Sequence, residues 1–277
     1  IRDYKVTGVQ TCALPISWVT TDGLSPFADL VRLYQWPKTI AVTGALGSGK
    51  TEWVLNLALG LKSVGENVTI ADVDIINPYF CVRQVSETLK SKGFSIITPP
   101  ETAKWSDMSV INARVGWAVS AEHGHLLLDI GGDAEGALAL KQFEPQIKKA
   151  GYLLVLVVNA FRPMTSTPGK IEKMLRKMES IGGLRVGALI SNSHLMQETT
   201  AANCVDGLSI VRETGRLLDL PVLYAGVAPA LEAEVRALQA PGDSVPVWPV
   251  SRYMLLPWED GCIWSQGDKK KQPDFRS

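Results

Sequence analysis

Short apolar runs alternate with helical patterns along this chain. Thr39 to Thr43 reads as a buried strand, and Lys50 to Ser63 follows as a helix that is apolar on most sides (Val54, Leu55, Leu57, Leu59, Leu61). Asn67 to Ala71 reads as a second strand. Pro78 to Lys92 reads as a helix, with Asn77 as N-cap and Pro78 in its first turn. Phe94 to Thr98 is a third strand, ended by Pro99 and Pro100. His125 to Ile130, Tyr152 to Val158 and Val186 to Ser191 are three more, separated by helices at Ala134 to Ala150 and Pro168 to Ile181. A helix from Cys204 to Leu218 leads to a last strand at Pro221 to Ala225. Strands alternating with helices predict an α/β fold, a three-layer sandwich around a mostly parallel central sheet.

After Ala225 the pattern weakens. Leu231 to Leu238 reads as a short helix; Pro241, Pro246, Pro249 and Pro257 interrupt the rest, and Gly261 to Ser277 reads as a loose polar tail. At the other end, Val6 to Ile16 reads as the in-frame translation of a sequencing-library adapter, so residues 1–16 are expected to be foreign to the natural protein. The resulting division is an artefactual 1–16, a lead-in over 17–36, a nucleotide-binding domain over 37–228 and a carboxy-terminal extension over 229–277.

Composition changes this picture little. The 277 residues are 46% hydrophobic with a formal net charge of zero, which gives no global field for nucleic acid or membrane. Lys269 to Lys271 read as a solvated end. Outside the foreign stretch, Cys81, Cys204 and Cys262 are far apart and suggest neither a disulfide framework nor a zinc site. No apolar run is long enough to span a bilayer, so a cytoplasmic protein is expected.

The candidate chemistry lies between the first strand and the first helix of the domain. Gly44-Ala45-Leu46-Gly47-Ser48-Gly49-Lys50-Thr51 has the G-x-x-x-x-G-K-T spacing of a phosphate-binding loop, with a strand before it and a helix after it. Glycines let backbone N–H groups converge on phosphate, and the helix points its positive end at the same anion. Lys50 is expected on the β- and γ-phosphates and the Thr51 hydroxyl on magnesium. Leu126 to Asp129, followed by Gly131 and Gly132, ends a strand with a carboxylate suited to a magnesium-bound water. The two glycines would let the backbone approach the γ-phosphate. Asp133 reads as a helix N-cap. Asp72 and Asp74 close the second strand; Asp74 is preferred for magnesium or the attacking water, with Asp72 next.

These segments together resemble the MinD/ParA/CobQ-like P-loop nucleotide-binding proteins. The resemblance rests on GALGSGKT, ADVDIINPYF, LLLDIGGD, VLVVNAFRPMT and ALISNSHL, and covers about Thr39 to Ala228. It implies a P-loop NTPase fold binding ATP and Mg2+, and it implies that Asn192, after a late strand, reads the adenine base. No [NT]-K-x-D tetrapeptide for guanine is present, which favours ATP. The sequence departs from the family at Ala45, where relatives carry a second lysine that reaches a partner's phosphates across a dimer. A homodimer therefore stays open. The loop spelling also resembles metallochaperone GTPases, for which His123 and His125 form an H-x-H pair; this pair and His194 read better as unliganded. Arg162, in Ala160 to Thr165, is open to a phosphate, a partner or a surface ion pair. The expectation is a slow ATP hydrolase acting as a switch on a protein partner or in cofactor or metal-centre assembly. The alternatives are a GTP-dependent metallochaperone, a small-molecule kinase or ligase with an acceptor pocket in the Pro99 to Asn112 region, and an ATP-binding module without turnover.

Overall fold

The computed structural model describes residues 26–73, 82–98, 108–121, 123–240 and 245–254. Within them eight strands form one parallel sheet: β1 Thr39–Gly44, β2 Val68–Asp72, β3 Ser95–Ile97, β4 His125–Asp129, β5 Tyr152–Val158, β6 Val186–Ser191, β7 Val222–Val227 and β8 Val247–Pro249. Their order across the sheet is β3-β2-β4-β1-β5-β6-β7-β8. The chain runs outward from β1 to β3, returns to insert β4 beside β1, then crosses to β5 and continues to the other edge. Ligands in such sheets bind beyond the carboxyl ends of the strands where the order reverses, and here that is the crevice above β1, β4 and β5.

The uninterrupted apolar runs make sense once both faces of the sheet are covered. Alternate residues of one strand enter opposite cores. Ile40, Val42, Ile70 and Leu127 pack beneath the first helical layer; Ala41, Ala71, Leu126 and Leu128 pack beneath the second. The first layer holds α1 Pro26–Arg32, α2 Lys50–Ser63 and α3 Ser86–Ser91, and the second holds α4 Met108–Ser120, α5 Ala134–Lys141, α6 Glu144–Ala150, α7 Pro168–Gly182 and α8 Ala201–Leu218. In α7 the buried Ile171, Met174, Leu175 and Met178 keep helical spacing, with the Thr167 side chain capping its start. A ninth described helix, α9 Glu232–Leu238, packs against β7 and β8 through Val235.

The elements depart from the sequence expectations at α1, which lies in the segment read as a lead-in, and in four further places. The helix expected over Ala134 to Ala150 is two, α5 and α6, because Pro145 lacks an N–H and cannot continue a helix; it sits in the first turn of a new one. Only the second half of the helix expected over Pro78 to Lys92 lies within the described residues, as a 3-10 turn at Val82–Val85 leading into α3. The helix α4, rich in β-branched residues, was not expected; Val115, Ala118 and Val119 bury against the sheet and override the weak propensity. The strand β8 was hidden by Pro246 and Pro249, which an edge strand tolerates.

Beyond β8 the chain folds back over α2. The Asn56 amide donates to the Ser251 carbonyl at 2.8 Å and accepts from the Ser251 N–H at 2.9 Å, and it also donates to Glu52 O at 2.7 Å. The Glu52 carboxylate accepts from the N–H groups of Tyr253 and Met254 at 2.9 and 2.7 Å. Beside this strap Trp53, Tyr224 and Trp248 form one aromatic cluster, with the Tyr224 and Trp248 rings 4.9 Å apart and edge to face. Tyr34 joins it, and the Tyr224 hydroxyl ties α1 to the sheet through the Leu30 carbonyl at 2.6 Å.

Replacing Asn56 with Ala strips the partners from two half-buried backbone groups of Ser251. Urea unfolding should show a loss of about 2 kcal/mol; a midpoint equal to that of wild type would mean the strap is not held this way.

Candidate functional site

The phosphate loop joins a fully buried strand to the start of α2. All six residues of β1 are buried, so the turn after Gly44 leaves from a rigid base. Gly47 and Gly49 have φ of +73° and +84°, the left-handed region that glycine enters without strain. Gly49 directly precedes α2, whose first N–H groups have no carbonyl one turn before them and form an anion-accepting end. Lys50 and Thr51 are buried in the first turn, whereas Leu46 at the loop tip is 76% exposed.

The loop's carbonyls are held by side chains that follow β5 and β6. Asn192, directly after β6, donates from Nδ2 to the Ser48 carbonyl at 2.7 Å. The Gly47 carbonyl accepts from Arg162 Nε at 3.1 Å and from Asn159 Nδ2 at 3.5 Å. Asn159, directly after β5, is fully buried. It also donates to His194 O at 3.0 Å, while its Oδ1 accepts from the N–H groups of Phe161 and His194. Asn159 thus joins the loops after β5 and β6 to the phosphate loop. A side chain at Gly49 would collide with the Asn192 amide, so that glycine serves the tether as well as the turn.

Thr51 Oγ1 donates to Asp129 Oδ2 at 2.7 Å. Asp72 and Asp129 are paired positions at the ends of β2 and β4, and both are fully buried. By alternation along their strands both lie on the α2 face of the sheet. Gly132 stands so close to the Gly44 carbonyl that any Cβ would enter it. In this structure the glycine pair after β4 therefore brings that backbone against the phosphate loop itself. Asp133 caps α5 through the Gly136 N–H at 2.8 Å, as expected. Next to Thr51, burial pushes the Glu52 carboxyl up to about 7, against the opposing effect of its two backbone hydrogen bonds.

The structure thus brings Gly44 to Thr51, Asp72 and Asp129 together at the carboxyl ends of the strands, with Asn192 directly against the loop. Asn192 faces the underside of the loop, with Oδ1 against Gly226. Asp74 lies outside the described residues, as do Asn77, Cys81, Cys262 and most of the Pro99 to Asn112 region. Ala45 is buried within the core of the second layer. His125 is remote from the crevice, its Nδ1 3.0 Å from the Pro37 carbonyl. Among the described residues no group of three or more His, Cys, Asp or Glu could hold a metal ion by itself. No described helix is long and apolar enough to cross a membrane. Cys204 is buried, its Sγ 3.8 Å from the Ser193 carbonyl, and burial pushes the thiol up to about 11.

Asn159, Glu52 and Asn56 were not singled out from sequence. Asn159 carried a readable signal: a polar residue ending an apolar strand, as Asp129 and Asn192 do. The other two act on a segment 195 or more residues away, which no local pattern reveals.

No family model matches the chain, and no curated protein matches it. Among solved structures it is similar to the cell division protein FtsY from Thermotoga maritima, at 18% identity and a TM-score of 0.49 over 69% of this chain and 62% of that one. It is also similar to the signal recognition particle receptor FtsY from Elizabethkingia anophelis in complex with GDP (19% identity, TM-score 0.49, 73% and 64% of the two chains). A third is the BceF tyrosine kinase domain (19%, 0.39, 56% and 69%). The chain spans less than two thirds of the length of the FtsY structures named here. Likeness at this level assigns neither nucleotide nor role.

His194 gives this site a pH signature. Burial and the nearby Arg162 and Arg252 hold its imidazole down at about 4, against the favourable effect of the Gly47 carbonyl. Below its ordinary value of 6.5 the unfolded chain takes up a proton that the folded chain refuses until about pH 4. Stability should therefore fall as pH drops through that window. Melting temperatures of wild type and His194→Gln between pH 7 and pH 5 test this: the difference between them should change with pH, and a constant difference would contradict it.

Proposed function

We propose that this chain is a magnesium-dependent ATP-binding protein and a slow ATPase, whose γ-phosphate state switches the loops around the crevice. The carrying observation is the hydrogen bond from Thr51 to Asp129 at the start of α2, beside a glycine loop whose carbonyls are tied to side chains that follow β5 and β6. Lys50 would bind the β- and γ-phosphates, and the N–H groups at the start of α2 would surround them. Thr51 and Asp129 fit a hard cation, being oxygen donors, and the buried Asp72, paired with Asp129 across the sheet, adds a second carboxylate. Magnesium, when bound, would neutralise phosphate charge. Asp72, and Asp74 beyond it, remain the candidates for orienting the attacking water. Catalysis of this kind is mostly positioning and electrostatics.

ATP is favoured over GTP by the absence of a guanine-reading tetrapeptide in the sequence. Reading adenine with Asn192 would require its amide, which can both donate and accept, to turn from Ser48 and Gly226 toward the base.

A protein partner is part of the proposal, supported by the exposed Leu46, Met164, Leu195 and Met196 in the loops that meet at this end of the sheet. The resemblance to the MinD/ParA positioning ATPases is retained only in its broader form, as MinD/ParA-like nucleotide binding. With Ala45 buried, the loop offers no reach toward a second copy at that position. Cytoplasmic placement belongs to the same reading.

Titration of the full chain with MgATP and MgGTP, with phosphate release measured in parallel, tests this. MgATP should bind more tightly. Lys50→Ala should weaken it about tenfold or more, and Asp129→Asn should lower phosphate release more than binding. Tighter GTP binding would refute the base assignment, and release by wild type no faster than by Lys50→Ala would refute hydrolysis.

A further inference from the structure

Arg162 stands beside a phosphate loop that carries no cation at its second position. Its guanidinium lies over Gly47, where an added Cβ would come within 2.8 Å of Cζ and Nη2, and its Nε donates to the Gly47 carbonyl. The turn that carries it is fixed. Arg162 N–H donates to Asn159 O at 3.1 Å, and its carbonyl accepts from Thr165 N–H at 2.9 Å. The buried Thr165 hydroxyl closes the turn onto Asn159 O at 2.7 Å.

The use of this guanidinium differs from that of its neighbours in kind. Arg176, Arg185 and Arg236 each pair with a glutamate. Arg162 has no carboxylate partner among the described residues; of its five N–H donors only Nε–H is in a hydrogen bond there. A planar guanidinium held by one nitrogen, with both Nη groups uncommitted, matches the spacing of phosphate oxygens.

We infer that Arg162 is a second cationic ligand of the triphosphate, supplied by the same chain. Nε–H fixes the loop through Gly47, and the Nη groups meet the polyphosphate. It stands in for the charge that Ala45 does not provide. This assignment rests on reading the loop as a nucleoside triphosphate site.

The test compares wild type, Arg162→Lys and Arg162→Gln in MgATP titrations at low and moderate salt. Gln keeps a donor for Gly47 but no charge. It should weaken MgATP about tenfold or more, and Lys should weaken it less. The salt dependence of binding should shrink in the Gln variant, because one charge contact is gone. A residue that only shapes the loop predicts equal losses for Lys and Gln with unchanged salt dependence, and that result overturns the assignment. So does a Gln variant that binds as wild type does. If wild type itself binds no nucleoside triphosphate, the reading of the loop and this assignment fall together.

Discussion

The site depends on how two peptide carbonyls are held. The Gly47 oxygen accepts from Arg162 and Asn159, and the Ser48 oxygen accepts from Asn192. Peptide units are rigid and planar, so fixing the carbonyls fixes the N–H groups on the other side of the same bonds. A glycine-rich loop would otherwise sample many conformations, at an entropic cost to be met at binding. The tethers meet that cost during folding and leave an anion-accepting concavity already formed.

The sheet order explains why these residues can converge. Inserting β4 beside β1 places Asp129 next to the loop and opposite Thr51, and crossing to β5 and β6 brings Asn159 and Asn192 to the other side. The loop is thus gripped by the ends of three strands that are separated widely in sequence. The strap after β8 adds a fourth element. It closes on Glu52 and Asn56, in the same helix whose first turn carries Lys50 and Thr51, so the carboxy-terminal segment is mechanically connected to the phosphate site.

Much of this was legible from sequence where one local pattern determines structure. The G-x-x-x-x-G-K-T spacing, the apolar strands and the carboxylate after Leu126 to Leu128 located the loop, the sheet and Asp129. Legibility failed where tertiary packing decides. The α4 helix forms despite its β-branched residues because Val115, Ala118 and Val119 find a core. The β8 strand forms despite its prolines because it needs hydrogen bonds on one side only. Asn192 was expected to face a base, yet its amide donor faces the loop; only the fold shows which of several polar groups an amide meets. Arg162 could not be separated from a surface ion pair by sequence; only the fold shows its Nε on the Gly47 carbonyl.

The central claim is that side chains from β5 and β6 preform the phosphate loop before any nucleotide arrives. Amide hydrogen exchange over Gly44 to Thr51 in the nucleotide-free protein tests it most directly. The account predicts that this segment exchanges more slowly than an unstructured peptide, that MgATP slows it further, and that Asn192→Ala speeds it in the free state. Exchange at the unstructured rate in free wild-type protein would contradict it.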